Sequence, residues 1–242
     1  MATVSILLLT LSDPKTQKLD RFHPCREYVG EALRNAGHPF DLCITDQGST
    51  NPEQMVWNEV QNPKVYNRNT ENAGTAQALN RMIEQNKTDH YVFIGNDIQL
   101  PEHWLRKFMD YASKIPESGV IGINWRGAEK IKPGDLNGHR VSYPIGRDAV
   151  FGTMFIPGTV RERIGKFCED YGPYGLWDGD YSIRAAKAGF INYYLPGVTS
   201  HHFGSDVGEE SEYRKMKDAS ISKAAPVFEA NKQKYAAGEV YI

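Results

Sequence analysis

The sequence predicts a three-layer α/β/α fold on a mainly parallel sheet, followed by a helical C-terminal tail. Three observations lead there. Apolar runs alternate with segments of helical spacing, a β-α-β-α-β-α-β succession that implies parallel strands covered on both faces. The strand runs end in polar turns, the most pointed being Gly95-Asn96-Asp97 after Tyr91-Val92-Phe93-Ile94. A chain of 242 residues with 40% hydrophobic and 24% charged content is ordinary for a globular protein and long enough to bury a sizeable core.

In chain order, residues 3–11 form a first apolar strand ending in Thr10-Leu11-Ser12-Asp13-Pro14. A polar loop leads to a helix from about Pro24 to Ala36, closed by Gly37. Phe40 to Thr45 is a second strand, stopping at Asp46-Gln47-Gly48-Ser49. A short helix over 53–60 and a strand over 64–66 follow. Asn72-Ala73-Gly74 then opens a helix whose apolar positions Ala76, Leu79 and Ile83 keep helical spacing. After the 91–94 strand, a helix over 102–112 buries Trp104, Leu105, Phe108, Met109 and Ala112. Gly119 to Ile123 is again a strand.

The second half has another texture. Residues 126–148 carry Gly, Pro and the cations Arg126, Lys130, Lys132, Arg140 and Arg147, and read as a long loop or hairpin. Ala149 to Ile156 returns to strand, with a helix near 159–165. The run Tyr171 to Asp180 feeds a helix over 181–188 stopped by Gly189, and 190–195 is a strand that leads to His201-His202. From 209 onward the chain is charged and helical, with an interruption expected at Pro226. The expected organisation is one catalytic domain over 1–205, its nucleotide-binding half near 1–118 and its acceptor half near 119–205, with a helical extension over 206–242.

Composition narrows the partners. A formal net charge of −2 offers no bulk attraction to nucleic acid or an anionic membrane. Cys25, Cys43 and Cys168 are isolated, odd in number and without metal-ligand spacing, which points to a reducing, cytoplasmic compartment. The Ile6-Leu7-Leu8-Leu9 run is too short for a signal peptide or a membrane span.

Several turns carry a chemical reading beside a plain structural one. Ligands of α/β sheets sit outside the carboxyl ends of the strands. Asp97 stands there as a candidate for holding a metal-bound phosphate, or as the residue that turns the chain before a helix. Asp46 reaches the same edge, equally as ligand contact or Asx turn. The helix start after Asn72 and Gly74 suits an approaching diphosphate, or is an ordinary cap.

The motifs taken together resemble the family 2 glycosyltransferases of the GT-A fold, which move a sugar from a nucleotide-sugar donor. The landmarks stand in family order: Asp46-x-Gly48-Ser49, Asn72-x-Gly74 with Asn80, Asn96-Asp97 before Pro101, Gly152 to Ile156, Ile164-Gly165-x-Phe167, Tyr174-Gly175, Asp178-x-Asp180, Arg184, Ala188-Gly189 and His201-x-x-Gly204-Ser205. The resemblance covers roughly residues 40–205. It departs at Gly95, Gln47 and Trp177, where the family commonly carries an acid.

The resemblance implies roles. Thr10, Asp46, Asn72, Gly74, Asn80, Asn96 and Asp97 are the expected donor-binding residues. Asp97, with His201 in the family's position, is the expected holder of Mn²⁺ or Mg²⁺; His202 reads as ordinary structure. Asp178 and Asp180 are the candidate catalytic acids, with Asp178 preferred as the base that takes the acceptor proton and Asp180 available as a helix-entrance acid. Tyr171, Tyr174 and Trp177 line an acceptor sugar or belong to the core. The expected activity is inverting, metal-dependent transfer onto an acceptor that is a saccharide, lipid-linked glycan, protein or modified nucleic acid, a lipid acceptor being met peripherally at a membrane. Two other functions compete: a non-catalytic nucleotide- or sugar-binding protein on the same fold, and a nucleotidyltransferase. The latter lacks a Gly-rich, cation-bearing loop after the first strand.

Overall fold

Strand β1 (Val4–Thr10) is the spine of the first half, and nearly every residue in it is buried. Its side chains alternate between two cores: Val4, Ile6 and Leu8 face one, Leu7 the other. Both faces are covered, which is why the run reads as continuously apolar. The computed structural model describes residues 2–12, 22–125, 127–145, 152–203 and 212–242.

Helix α1 (Phe22–Arg34), β2 (Asp41–Asp46), α2 (Pro52–Val60), β3 (Val65–Arg68), α3 (Thr75–Gln85) and β4 (His90–Ile94) follow β1. The strands pair in parallel, β1 with β2 and β4, and β2 with β3. Then come β5 (Ile98–Gln99), α4 (Trp104–Lys114), β6 (Ser118–Asn124), the hairpin β7 (Ile131–Leu136) and β8 (His139–Pro144), β9 (Met154–Pro157), α5 (Gly158–Ile164), α6 (Trp177–Lys187), β10 (Ile191–Thr199), β11 (His201–His202) and α7 (Glu212–Ala236). Among the described residues the main sheet has nine strands in the order β3-β2-β1-β4-β9-β6-β10-β8-β7. β9 lies antiparallel between β4 and β6 and so welds the two halves of the chain into one sheet. The expected three-layer, mainly parallel architecture with a helical tail is present.

The two cores are the two faces of this sheet. Helices α1 and α4 cover one, with Val29, Ala32, Leu33, Trp104, Leu105 and Phe108 against Ile44, Val92 and Phe155. Helices α3, α5 and α6 cover the other, with Leu79, Met82, Ile164 and Tyr181 against Leu7, Tyr91 and Ile156. Cys43 sits in this second layer, where burial pushes its thiol up to about 11; Cys43 and Cys168 are both free thiols and both buried.

Several sequence expectations are corrected. Of the two readings of 126–148, the hairpin is present, as β7–β8 after a short 3-10 turn over 128–130; Arg126 and residues 146–148 lie outside the described residues, as do Asp13, Gly204 and Ser205. Strand β10 runs on to Thr199. Helix α6 begins at Trp177, four residues before the expected start, because Trp177 is anchored edge-on against Phe93 and Phe167. Helix α7 continues through Pro226 without a break. A mid-helix proline costs roughly 3 kcal/mol, and it is tolerated here because Ala224, Phe228, Asn231 and Tyr235, one face of the helix, all find partners on the domain. No described helix is long and apolar enough to cross a membrane.

Candidate functional site at the carboxyl edge of the sheet

β4 ends at Ile94, and residues 95–97 turn the chain into β5. Asn96 and Asp97 are half-buried in that turn. β5 pairs antiparallel with β11, matching Gln99 to His201 and Ile98 to His202, and the Phe203 amide donates to the Asp97 carbonyl at 2.9 Å. This two-stranded ribbon sets the histidines. Successive strand residues point to opposite sides, and it is His202 that faces Asp97, its Nε2 lying 3.5 Å from Oδ1. His201 is exposed and packs edge-on against Phe203 at 4.3 Å. The imidazole beside Asp97 is thus that of His202, one position on from the His201 expected as a metal or phosphate contact. No signal in the sequence could have decided this, since a two-residue ribbon leaves no periodicity.

Thr10 and Asp46, at the ends of β1 and β2, do come together. Asn58 Nδ2 donates to Thr10 Oγ1 at 2.9 Å and to Asp46 Oδ2 at 3.2 Å, while Gln54 fixes Asn58 from the previous helical turn. Asp46 Oδ1 accepts from the Ser49 amide at 2.7 Å. Both Thr10 and Asp46 are fully buried, so the carboxylate shapes the strand-end turn from beneath. Asn58 and Gln54 were missed in the sequence, where they look like ordinary polar helix residues.

Gln47 explains one departure from the family pattern. Its amide nitrogen donates to the Gly74 carbonyl at 2.9 Å, while its oxygen accepts from Asn69 and from the Ala73 amide. A carboxylate could accept these bonds but not donate one. Asn72 Oδ1 accepts from the Gly74 amide at 3.0 Å, so Asn72 and Gly74 form an Asx turn at the mouth of α3. Asn80 is buried and clamps the 167–169 segment: it donates to the Phe167 carbonyl and Glu169 and accepts from the Phe167 amide. It thus faces the protein interior rather than the sheet edge.

The two candidate acids of α6 differ sharply. Both lie in its first turn. Asp178 is half-buried, and its Oδ1 accepts from the Gly179 amide at 2.9 Å. Asp180 is fully buried: Arg184 Nε donates to Oδ2 at 2.9 Å, and the hydroxyls of Tyr171 and Tyr235 both donate to Oδ1. Burial first, and then these bonds to Asp180, push both phenols well above the usual tyrosine range. Arg184 in turn donates to the carbonyls of Ile164, Lys166 and Val240. Tyr171 is thus committed to packing, whereas Trp177, packed against Phe93 and Phe167, and Tyr174 are half-buried. Because Trp177 rests on Phe93 of β4, the exposed face of the α6 start lies beside the strand that leads to Asp97.

An open groove of about 620 Å³ runs between α1 and α2 past Arg26, Glu53 and Trp57, but none of the residues above lines it. Among the described residues, no three His, Cys, Asp or Glu side chains cluster as a ready-made metal cage.

A sheet of this topology, with a small ribbon bringing a histidine to a strand-end aspartate, defines a GT-A fold. The chain superposes on TarS 1–349 of S. aureus with a TM-score of 0.61 at 12% identity, over 92% of this chain and 70% of that one. It superposes on the mannosyltransferase PcManGT of Pyrobaculum calidifontis, solved with GDP-Man and Mn²⁺, with a TM-score of 0.59 at 16% identity, over 98% and 75%. GalNAc-T7, solved with UDP, GalNAc and Mn²⁺, gives 0.59 at 12% identity, over 83% and 43%. The sequence profile of glycosyl transferase family 2 matches residues 24–160, more than half of the chain, and the protein belongs to that family. Comparison with curated proteins gives no match.

Proposed function

We propose that this protein transfers a sugar from a nucleoside-diphosphate donor to an acceptor hydroxyl, with inversion at the anomeric carbon and with the help of a divalent cation. The observation that carries the reading is the convergence of Asp97 and His202 from two separate elements onto one half-exposed spot at the carboxyl edge. A carboxylate and a neutral imidazole are ligands that Mn²⁺ accepts. Beside these two side chains, phosphate oxygens and water would complete the coordination, as is usual for such cations on nucleotide phosphates. The residues present therefore fit the group. When bound, a divalent cation offsets the charge that collects on the departing diphosphate.

The chain's own groups divide the remaining work. Asp97 and His202 hold the diphosphate end. The turns shaped by Asp46, Gln47, Asn72 and Gly74 form the floor beneath the nucleoside, with Thr10 and Asn58 supporting it from the layer below. In this reading Asp46 acts by shaping that floor, and Asn80 by holding the 167–169 segment against α3. Asp178 takes the proton from the acceptor hydroxyl, on the face of the sugar opposite the diphosphate. Asp180 keeps α6 in place and does no proton transfer. The acceptor approaches along the base of the β7–β8 hairpin, beside the turn after β6 in which the Asn124 side-chain amide donates to the Gly127 carbonyl at 2.8 Å.

The test is a melting-temperature screen of nucleoside diphosphates and nucleotide sugars, with and without Mn²⁺. A donor that binds the native state raises the melting temperature by mass action, by about 2.7 kcal/mol of stabilisation at a hundred times its Kd. The expected result is a shift by one diphosphate series that grows with Mn²⁺, and release of free nucleotide from the matching sugar nucleotide. No shift with any of them overturns the reading. Binding without any turnover of the sugar nucleotide identifies a binding protein instead.

A further inference from the structure

We propose that Trp125 positions His202, holding its imidazole toward Asp97 so that the pair can take a divalent cation together with a diphosphate. The inference rests on the metal-assisted reading above and adds a residue to it. Trp125 directly follows β6, and its indole lies 4.7 Å from the His202 ring at 31°, a tilted stack. The Cδ1–Nε1 edge of the indole comes close to the backbone of Gly152: a Cβ there would come within 2.8 Å of both atoms. Gly152 also has a φ of +86°, a region that side chains avoid. The indole thus meets both a bare stretch of backbone and the imidazole.

The backbone behind both rings is anchored. The Ser200 amide donates to the Asn124 carbonyl at 3.1 Å, and Thr199 pairs with Asn124 across β10 and β6. The residue before Trp125 and the one two before His202 are therefore held to each other. The rings inherit a fixed separation instead of sampling many rotamers.

Gly95 completes the geometry from the other side. A Cβ at 95 would come within 2.9 Å of Asp97 Oδ1, so the carboxylate occupies space that any side chain there would contest. At the position where the family commonly places an acid, this chain has none, and Asp97 folds back toward His202 instead. Among the described residues no third His, Cys, Asp or Glu joins the pair, so the orientation of these two counts for more. Residues that orient a ligand histidine typically change metal affinity by about 10–100-fold.

The experiment is a titration of Mn²⁺ alone, and with UDP or GDP, followed by the electron paramagnetic resonance of free Mn²⁺. The wild type is compared with Trp125→Leu, Trp125→Phe, Asp97→Ala and His202→Ala, each also melted without metal. Trp125→Leu, which keeps apolar bulk but removes the ring, is expected to weaken Mn²⁺ binding about 10-fold or more. Trp125→Phe, which keeps a ring against the imidazole, is expected to recover most of that loss. If His202→Ala weakens binding while Trp125→Leu binds as the wild type does, the positioning role is overturned and the metal reading stands. Equal losses in the Leu and Phe variants, tracking a drop in melting temperature, also overturn it, since that is the mark of a merely structural tryptophan. If neither Asp97→Ala nor His202→Ala changes Mn²⁺ affinity, the metal reading itself falls, and this inference with it.

Discussion

Asp180 and Arg184 meet at 2.9 Å with both side chains fully buried, whereas Asp97 and His202 stand 3.5 Å apart with 30% and 21% of their side chains exposed. Each pair joins an acid to a cationic or potentially cationic partner, but their surroundings differ. Every nitrogen of Arg184 is engaged, and both Asp180 oxygens have donors from the protein: two tyrosines and the arginine. Such completeness is what makes a buried charge tolerable. It also leaves no direction from which a substrate could approach. Asp97 has the opposite character: a loose contact, partial exposure and a place at the sheet edge. The lesson concerns Asp178-x-Asp180, where two acids of one motif divide into a fully buried helix anchor and a half-buried group.

The hardest blow to the closed pair is Asp180→Ala. It leaves Arg184 as an uncompensated buried charge, and removing one partner of such a pair costs about 3–5 kcal/mol. Denaturant unfolding should show most of the native stability gone. Wild-type stability in this variant would erase the contrast drawn here.

Two residues earlier the outcome is expected to reverse. Asp178→Asn keeps shape and folding but removes the basicity, so turnover is expected to fall by about 10²–10⁴-fold with donor affinity and melting temperature unchanged. Steady-state kinetics beside calorimetric donor binding checks this. Turnover retained in Asp178→Asn would mean that the wrong acid of the motif has been made the base. Retention of the donor's anomeric configuration in the product would remove the single-base mechanism altogether.

The open pair predicts a loss of function without a loss of fold. Asp97→Ala is expected to lower Mn²⁺ affinity by at least about 10–100-fold and metal-dependent turnover with it, while the protein melts within a few degrees of the wild type. Full wild-type activity in excess chelator would show that no cation is needed.

The smallest effect belongs to an exposed pair. Lys64 Nζ donates to Asp41 Oδ2 at 2.7 Å with 57% and 31% of the side chains exposed. The bond from Lys64, then the one from Asn86, holds the Asp41 carboxyl below its usual 3.8. A depressed native value means that the unfolded chain binds the proton first. The contribution is therefore complete above pH 3.8 and is lost as pH falls through the native value. Solvent screening limits it to about 0–1 kcal/mol. Asp41→Asn should reduce stability by that amount at neutral pH and match the wild type in strong acid; a large difference at neutral pH would mean that exposure is a poor guide to which pairs matter.

The sheet was legible in the primary structure because its strands are buried on both faces: the apolar runs around Ile6, Ile44, Val92 and Val120 need no tertiary information to be recognised. The strand-end acids were legible for the same reason, since the turns that interrupt such runs lie at the ligand-binding edge. Asp46 and Asp97 could therefore be singled out, whereas Asp178, in the first turn of α6, was singled out by its place in the family motif. Other features were decided only by tertiary contacts. β9 enters the sheet antiparallel through long-range pairing with β4 and β6. Helix α6 starts early because Trp177 finds Phe93 and Phe167. Proline 226 stays helical because a whole face of α7 is held against the domain. The choice between His201 and His202 is the sharpest case. The two are chemically identical and adjacent, and a pairing register of one residue decides which imidazole meets Asp97.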